Sequence, residues 1–142
     1  MGDAMRKLSD LVRSRNPVIL RTKTTVQHAC QRMRADRAGA VLVVSANGQL
    51  EGIFTRGDVV NRVLAEARNP AKTTLAEVMT AVLHTAPPNA TVIDALRVMD
   101  DCGCRHLPIV EGGKILGLVF RGDFRGLELD RIEEEEELWE RI

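Results

Sequence analysis

The sequence predicts an α+β fold made of two pseudo-symmetric repeats, each running strand-helix-strand-strand-helix, with packed sheets and outer helices. Internal self-similarity is the main reason. Thr25-Val26-x-x-Ala29-x-x-x-Met33 returns 66 residues later as Thr91-Val92-x-x-Ala95-x-x-x-Met99. Gly52-x-x-x-Arg56-Gly57-Asp58 returns 65 residues later as Gly117-x-x-x-Arg121-Gly122-Asp123. The lost residue falls between Ser45-Ala46-Asn47-Gly48 and Glu111-Gly112-Gly113, hairpin-turn sequences that tolerate a change of length. Size is the second reason. Units of about 60 residues bury too little surface to stand securely alone, so the two should pack face to face.

Each element has a local cause. Met5, Leu8, Leu11 and Val12 form an apolar stripe at helical spacing, so residues 1–16 read as an N-terminal helix. The first repeat covers 17–68, a linker 69–78 and the second repeat 79–130. Thr25 and Thr91 are natural N-caps. The helices behind them bury Val26, Ala29, Cys30 and Met33, or Val92, Ala95, Leu96 and Met99. Apolar strands follow at Ala40–Val44 and Leu107–Val110, and partner strands at Leu50–Phe54 and Ile115–Phe120, each pair joined as a hairpin. The first Arg-Gly-Asp opens a helix carrying Val59, Val60, Val63 and Leu64. Asn69-Pro70-Ala71-Lys72 breaks the pattern, Thr74–Met79 reads as a helical turn, and Val82–Thr85 as a short strand ahead of Pro87-Pro88. Residues 131–142 form an acidic tail, Glu133–Glu137, ending in an amphipathic turn with Leu138, Trp139 and Ile142.

Composition excludes several function classes. Twenty basic residues balance twenty acidic ones, which leaves no electrostatic footprint for nucleic acid. With no tyrosine, one tryptophan and three phenylalanines, stacking platforms for single strands are scarce. No apolar run nears the roughly 20 residues of a membrane span, and the N-terminal residues lack a signal h-region, so a cytoplasmic protein is expected. Cys30, Cys102 and Cys104 show no zinc spacing. Cys102-Gly103-Cys104 admits a metal or redox reading, but no second Cys/His pair completes a tetrahedral site, so reduced thiols are expected. No phosphate-cradling Gly-x-x-x-x-Gly-Lys loop is present, and His28, His84 and His106 have no obvious nucleophile beside them, so no enzyme activity is expected.

The threonine-capped helices, Arg105-His106-Leu107-Pro108-Ile109-Val110 and Gly52-Ile53-Phe54-Thr55-Arg56-Gly57-Asp58 together resemble the cystathionine β-synthase (CBS) domain family. The last segment matches the family's Gly-x-x-Thr-x-x-Asp ligand motif in full, and the resemblance covers about residues 17–130 in two copies. It implies a regulatory module that binds AMP, ADP or ATP, dimerises, and acts on another protein. A ligand-free interaction module is the alternative. In such a site Asp58 would accept both ribose hydroxyls, Thr55 would offer a hydroxyl, and Arg56 would lie beside them. Val82, Leu83, His84, Arg105, His106 and Pro108 would complete the cleft, the basic pair facing phosphates and the apolar residues holding adenine. The Asp123 cleft would use Ile19-Leu20-Arg21 and Gly39-Ala40-Val41-Leu42. It departs from the motif, because Phe120 replaces the threonine and Gly39 and Ala40 stand where the first cleft has Arg105 and His106. One good site per chain, at Asp58, is therefore expected. Asp58 and Asp123 each remain open to a plainer role as carboxylates that start a helix, and Arg105 and His106 to that of a solvated pair.

Overall fold

The computed structural model describes residues 6–12, 16–82 and 84–124. Its elements in order are α1 (Leu8–Val12), β1 (Ile19–Arg21), α2 (Val26–Asp36), β2 (Ala40–Val44), β3 (Leu50–Thr55), α3 (Arg56–Asp58, continuing as a wider helix over Val59–Leu64), α4 (Leu75–Val78), β4 (Thr80–Ala81), α5 (Val92–Cys102), β5 (His106–Glu111) and β6 (Lys114–Phe120). A single 3₁₀ turn, Arg121–Asp123, follows β6. The fold is α+β. Of the described residues, 16–82 form one compact unit, and 6–12 with 84–124 form the other. The acidic tail and Met5 lie outside the described residues.

The threonine caps form as their sequence demands. Thr25 Oγ1 accepts the amide of His28 at 3.2 Å and Thr91 Oγ1 that of Asp94 at 3.2 Å. Asp94 returns the bond by accepting the Thr91 amide, closing a capping box. Both helices end in a left-handed residue, Arg37 (φ 53°) after α2 and Gly103 (φ 68°) after α5. There the chain reverses, with Ala38 donating to the Met33 carbonyl and Cys104 to that of Met99. The turn at Gly103 brings the α-carbons of Cys102 and Cys104 to 5.2 Å, and a disulfide joins them. This replaces the expected pair of free thiols.

In the unit of residues 16–82 a four-stranded sheet runs β1-β2-β3-β4. β1 lies parallel to β2 with α2 as the crossover, and β2, β3 and β4 are antiparallel neighbours. Its core gathers Val18, Val26, Ala29, Met33, Val41, Val43, Phe54, Val63, Leu75 and Val78. In the other unit β5 and β6 form a hairpin, and Ala86 adds a single parallel bridge to Ile109. Val82, His84 and Thr85 do not form the expected strand. The strand instead spans Thr80–Ala81, starting two positions before the expected one, because β4 takes its register from β3. This second core holds Leu8, Val12, Ala86, Val92, Ala95, Leu96, Met99, Leu107, Ile109, Val119 and Phe124. The hairpins match in detail. Both shift register at equivalent positions, Val43/Val44 and Ile109/Val110, and they differ in the turn, where Gly112 and Gly113 both take positive φ.

The symmetry extends to α1 and α4. Val26 donates to Thr73 at 2.8 Å, and Val92 donates to Arg6 at 2.9 Å. Leu75 donates to Thr24 and Ala76 to Thr22, while Leu8 donates to Ala90 and Ser9 to Pro88. Thr25 bridges Thr74, and Thr91 bridges Lys7. Each short helix then sets one side chain over a strand glycine. A Cβ on Gly52 would stand 2.5 Å from Met79 Sδ, and one on Gly117 would stand 2.6 Å from Val12 Cβ.

Gly117→Ala should therefore lower stability by about 1–3 kcal/mol through overpacking, and Thr91→Ala by about 1 kcal/mol through loss of the cap, both read from urea midpoints at pH 7. Backbone and hydroxyl hydrogen bonds from Thr91 hold Asp94 below its ordinary pKa, and bonds from Thr74 do the same for Glu77. A depressed carboxylate stabilises the fold above its unfolded pKa, about 4, and that contribution fades as pH falls through the lower folded value. The urea midpoint should thus drop between about pH 6 and pH 3, and Asp94→Asn should show a shallower drop than wild type.

Candidate functional site

The turn between β3 and α3 concentrates polar groups. Thr55 keeps extended backbone, so its Oγ1 accepts the Asp58 amide at 3.3 Å. Asp58 Oδ2 accepts from the Thr55 amide at 2.9 Å and from the Thr55 hydroxyl at 3.3 Å. Asp58 Oδ1 accepts from the Thr80 hydroxyl at 3.2 Å and faces Arg62 Nε at 3.6 Å. The carboxylate thus lies only 8% exposed. Thr80 reaches it because Gly52 leaves room for Met79 and the Thr80 carbonyl to lie against β3. The helix then widens. Ala65 donates to Val60 and Arg68 to Val63, five residues back in each case, a geometry often found at functional positions.

Two further features leave this turn open. Gly57 is exposed, and among the described residues beyond its neighbours a Cβ there would meet just Thr55 Oγ1 at 3.5 Å, an ordinary contact. Arg56 is exposed too. Its amide donates to the Gly39 carbonyl at 3.2 Å and its guanidinium lies over Gly39. Among the described residues that guanidinium makes no ion pair.

The second turn repeats the backbone with different chemistry. Asp123 accepts the Phe120 amide at 2.9 Å, and the Arg121 amide donates to the Arg105 carbonyl at 2.9 Å, as Arg56 does to Gly39. The Phe120 ring folds across Gly122, so close that a Cβ there would stand 2.5 Å from Cε2. The His106 ring lies 6.3 Å from that of Phe120, tilted by 34°. Arg121 is paired with the Asp100 carboxylate.

The structure gathers Thr55, Arg56 and Asp58 into one site and adds Thr80 and Arg62, which local sequence reasoning missed. Arg62 was visible as an i,i+4 charge partner of Asp58. Thr80 depends on strand pairing and had no local signal. Val82 belongs to the same unit and donates to the Glu51 carbonyl at 3.3 Å. His84, Arg105, His106, Pro108 and Asp123 belong to the other unit, His84 and Arg105 exposed, Pro108 buried. Leu83 lies outside the described residues.

The CBS domain family model matches residues 8–65 and again 75–129. The chain belongs to the CBS domain family. The CBS domain-containing protein YhcV of Bacillus subtilis (strain 168) is 35% identical over 99 residues, 70% of this chain and 69% of YhcV. The CBS domain-containing protein CBSCBSPB2 of Arabidopsis thaliana is 40% identical over 96 residues, 68% of this chain. The chain spans only 18% of that relative's length. The CBS domain protein PAE2072 from Pyrobaculum aerophilum, solved complexed with AMP, superposes with a TM-score of 0.78 over 89% of this chain and 96% of that one. At 17% identity that likeness is one of fold. Both family matches open on a short Leu-initiated helix, α1 or α4.

Removing Asp58 strands the Thr80 hydroxyl and the Thr55 amide. Asp58→Ala should lower the unligated protein's unfolding free energy by about 1–3 kcal/mol, more than Asp123→Ala, whose carboxylate is less buried. Paired chemical denaturation curves check this.

Proposed function

We propose that this CBS pair is a regulatory module that binds an adenine nucleotide, AMP, ADP or ATP, and acts on a partner protein without catalysis of its own. One observation carries the reading: a nearly buried carboxylate, Asp58, sits among hydroxyl donors at a turn whose glycine and arginine stay open. A ribose presents two adjacent hydroxyls, and one carboxylate can accept from both. Its Oδ1 is now served by Thr80 and by Arg62 at 3.6 Å, partners that a diol could replace. The Arg56 guanidinium, which makes no ion pair among the described residues, suits a phosphate.

The Asp123 turn is the poorer candidate. Phe120 covers its backbone and Asp100 neutralises Arg121. We therefore assign one nucleotide to each chain, at Asp58, in a cytoplasmic homodimer. The AMP complex of PAE2072 supports the ligand class, since that protein shares the fold. A ligand-free interaction module is favoured by a different observation: protein donors already occupy both oxygens of Asp58.

Calorimetric titration with AMP, ADP and ATP separates the two. Hydrogen bonds to a charged group contribute about 1.5–3 kcal/mol each, so Asp58→Asn should weaken binding roughly ten- to a hundredfold. Asp123→Asn should change it little. Arg56→Gln should cost more for ATP than for AMP. Wild-type protein giving neither heat nor a melting shift with any of the three would favour the interaction module. Loss of binding in Asp123→Asn alone would move the ligand to the other turn.

A further inference from the structure

Cys102 ends α5, Gly103 turns the chain in the left-handed region, and Cys104 precedes the Arg105-His106 pair that leads into β5. We propose that Cys102 and Cys104 are a reversible thiol–disulfide site that exchanges with low-molecular-weight disulfides of the glutathione class, independently of any nucleotide.

Four observations carry this. The turn holds the two α-carbons 5.2 Å apart, inside the span a disulfide needs. Gly103 takes φ 68°, and among the described residues beyond its chain neighbours and its own helix backbone no atom lies within 4 Å of where its Cβ would be, so these residues leave the turn open to an approaching sulfur. Both cysteines are partly exposed and belong to neither core cluster. The bridge closes a loop of one intervening residue, and chain-entropy stabilisation grows with loop length, so it adds little as a staple. Cys30 differs: burial pushes its thiol up and it has no partner cysteine.

The step balances without a further reactant. One cysteine, as thiolate, attacks a sulfur of the small disulfide. That S–S bond breaks and one thiol leaves, giving a mixed disulfide. The second cysteine attacks the protein sulfur of that bond and releases the second thiol. Two cysteine thiols are oxidised to the bridge, and one disulfide is reduced to two thiols carrying their protons. The position at a helix C-terminus sets the direction. The negative end of the helix dipole disfavours a thiolate, so the reduced form lacks the stabilisation that makes a helix N-terminal pair a strong oxidant. Exchange should be slow and its equilibrium should lie toward the bridge.

The full chain is equilibrated in buffers of varied reduced-to-oxidised glutathione ratio, acid-quenched, alkylated with N-ethylmaleimide, and weighed intact with peptide mapping. Two species are expected, one with three alkylated cysteines and one with Cys30 alkylated alone, their ratio following the concentration of reduced glutathione squared divided by that of oxidised glutathione. Cys30→Ser should leave that ratio unchanged. Cys102→Ser and Cys104→Ser should each trap one glutathione on the remaining cysteine of the pair. The same chain in concentrated urea should form the bridge roughly tenfold less favourably. The proposal fails if the folded pair stays fully alkylated at the highest oxidised glutathione. It also fails if the bridge resists every reducing ratio, or if folded and unfolded chains give the same ratio.

Discussion

The backbone hydrogen bonds from Val26 to Thr73 and from Val92 to Arg6 hold the rest of the architecture in place. Each joins the first turn of a principal helix to the segment that leads into a short helix. Once they form, Leu75 and Leu8 are fixed in their cores and Met79 and Val12 are laid over Gly52 and Gly117. The short helices are exchanged with respect to chain order. The one that opens the first family match, α1, packs in the unit of the second repeat, and α4 packs in the unit of the first. A strand glycine in each hairpin is the complement of that exchange, because any side chain there would meet the incoming one.

The first exchange also builds the site. Met79 can settle against β3 only because position 52 lacks a side chain, and Thr80 then pairs with Ile53 and extends its hydroxyl to Asp58. A packing constraint between two apolar elements thus determines which polar groups surround a carboxylate. The corresponding helix in the other unit presents no counterpart to Thr80 among the described residues. The two Arg-Gly-Asp turns therefore share a backbone and differ in setting. One is rich in hydroxyls with an open arginine; the other is roofed by Phe120 with its arginine tied to Asp100.

Much of this was legible in the sequence because it is local. Threonine caps, apolar stripes and hairpin turns depend on residues a few positions apart, and the Gly52–Asp58 motif is a continuous run that marks the candidate site. The asymmetry was legible as Phe120 against Thr55. What escaped reading is non-local. Thr80 is an ordinary hydroxyl until strand pairing places it near Asp58, and the true edge of β4 follows β3 rather than the apolar residues Val82 and Leu83. The kinship of Leu8–Val12 with Leu75–Met79 sits 67 residues apart, one more than the helix repeat, and only the matching hydrogen bonds make it plain. The disulfide escaped for another reason: a Cys-Gly-Cys sequence does not reveal its turn until Gly103 is seen to take positive φ.

The exchanged helices also order events on the ribosome. Residues 16–82 emerge as one run and can close their core as soon as α4 is out. Leu8 and Val12 emerge before them, yet Ala90, Met99, Ile109 and Val119, which share their core, come roughly 80 to 110 residues later. The entropy of closing so long a loop grows only slowly with length, but the wait is set by the rate of synthesis, about 5–20 residues per second. For several seconds α1 waits for the rest of its core, while a finished unit stands between it and those partners in the nascent chain.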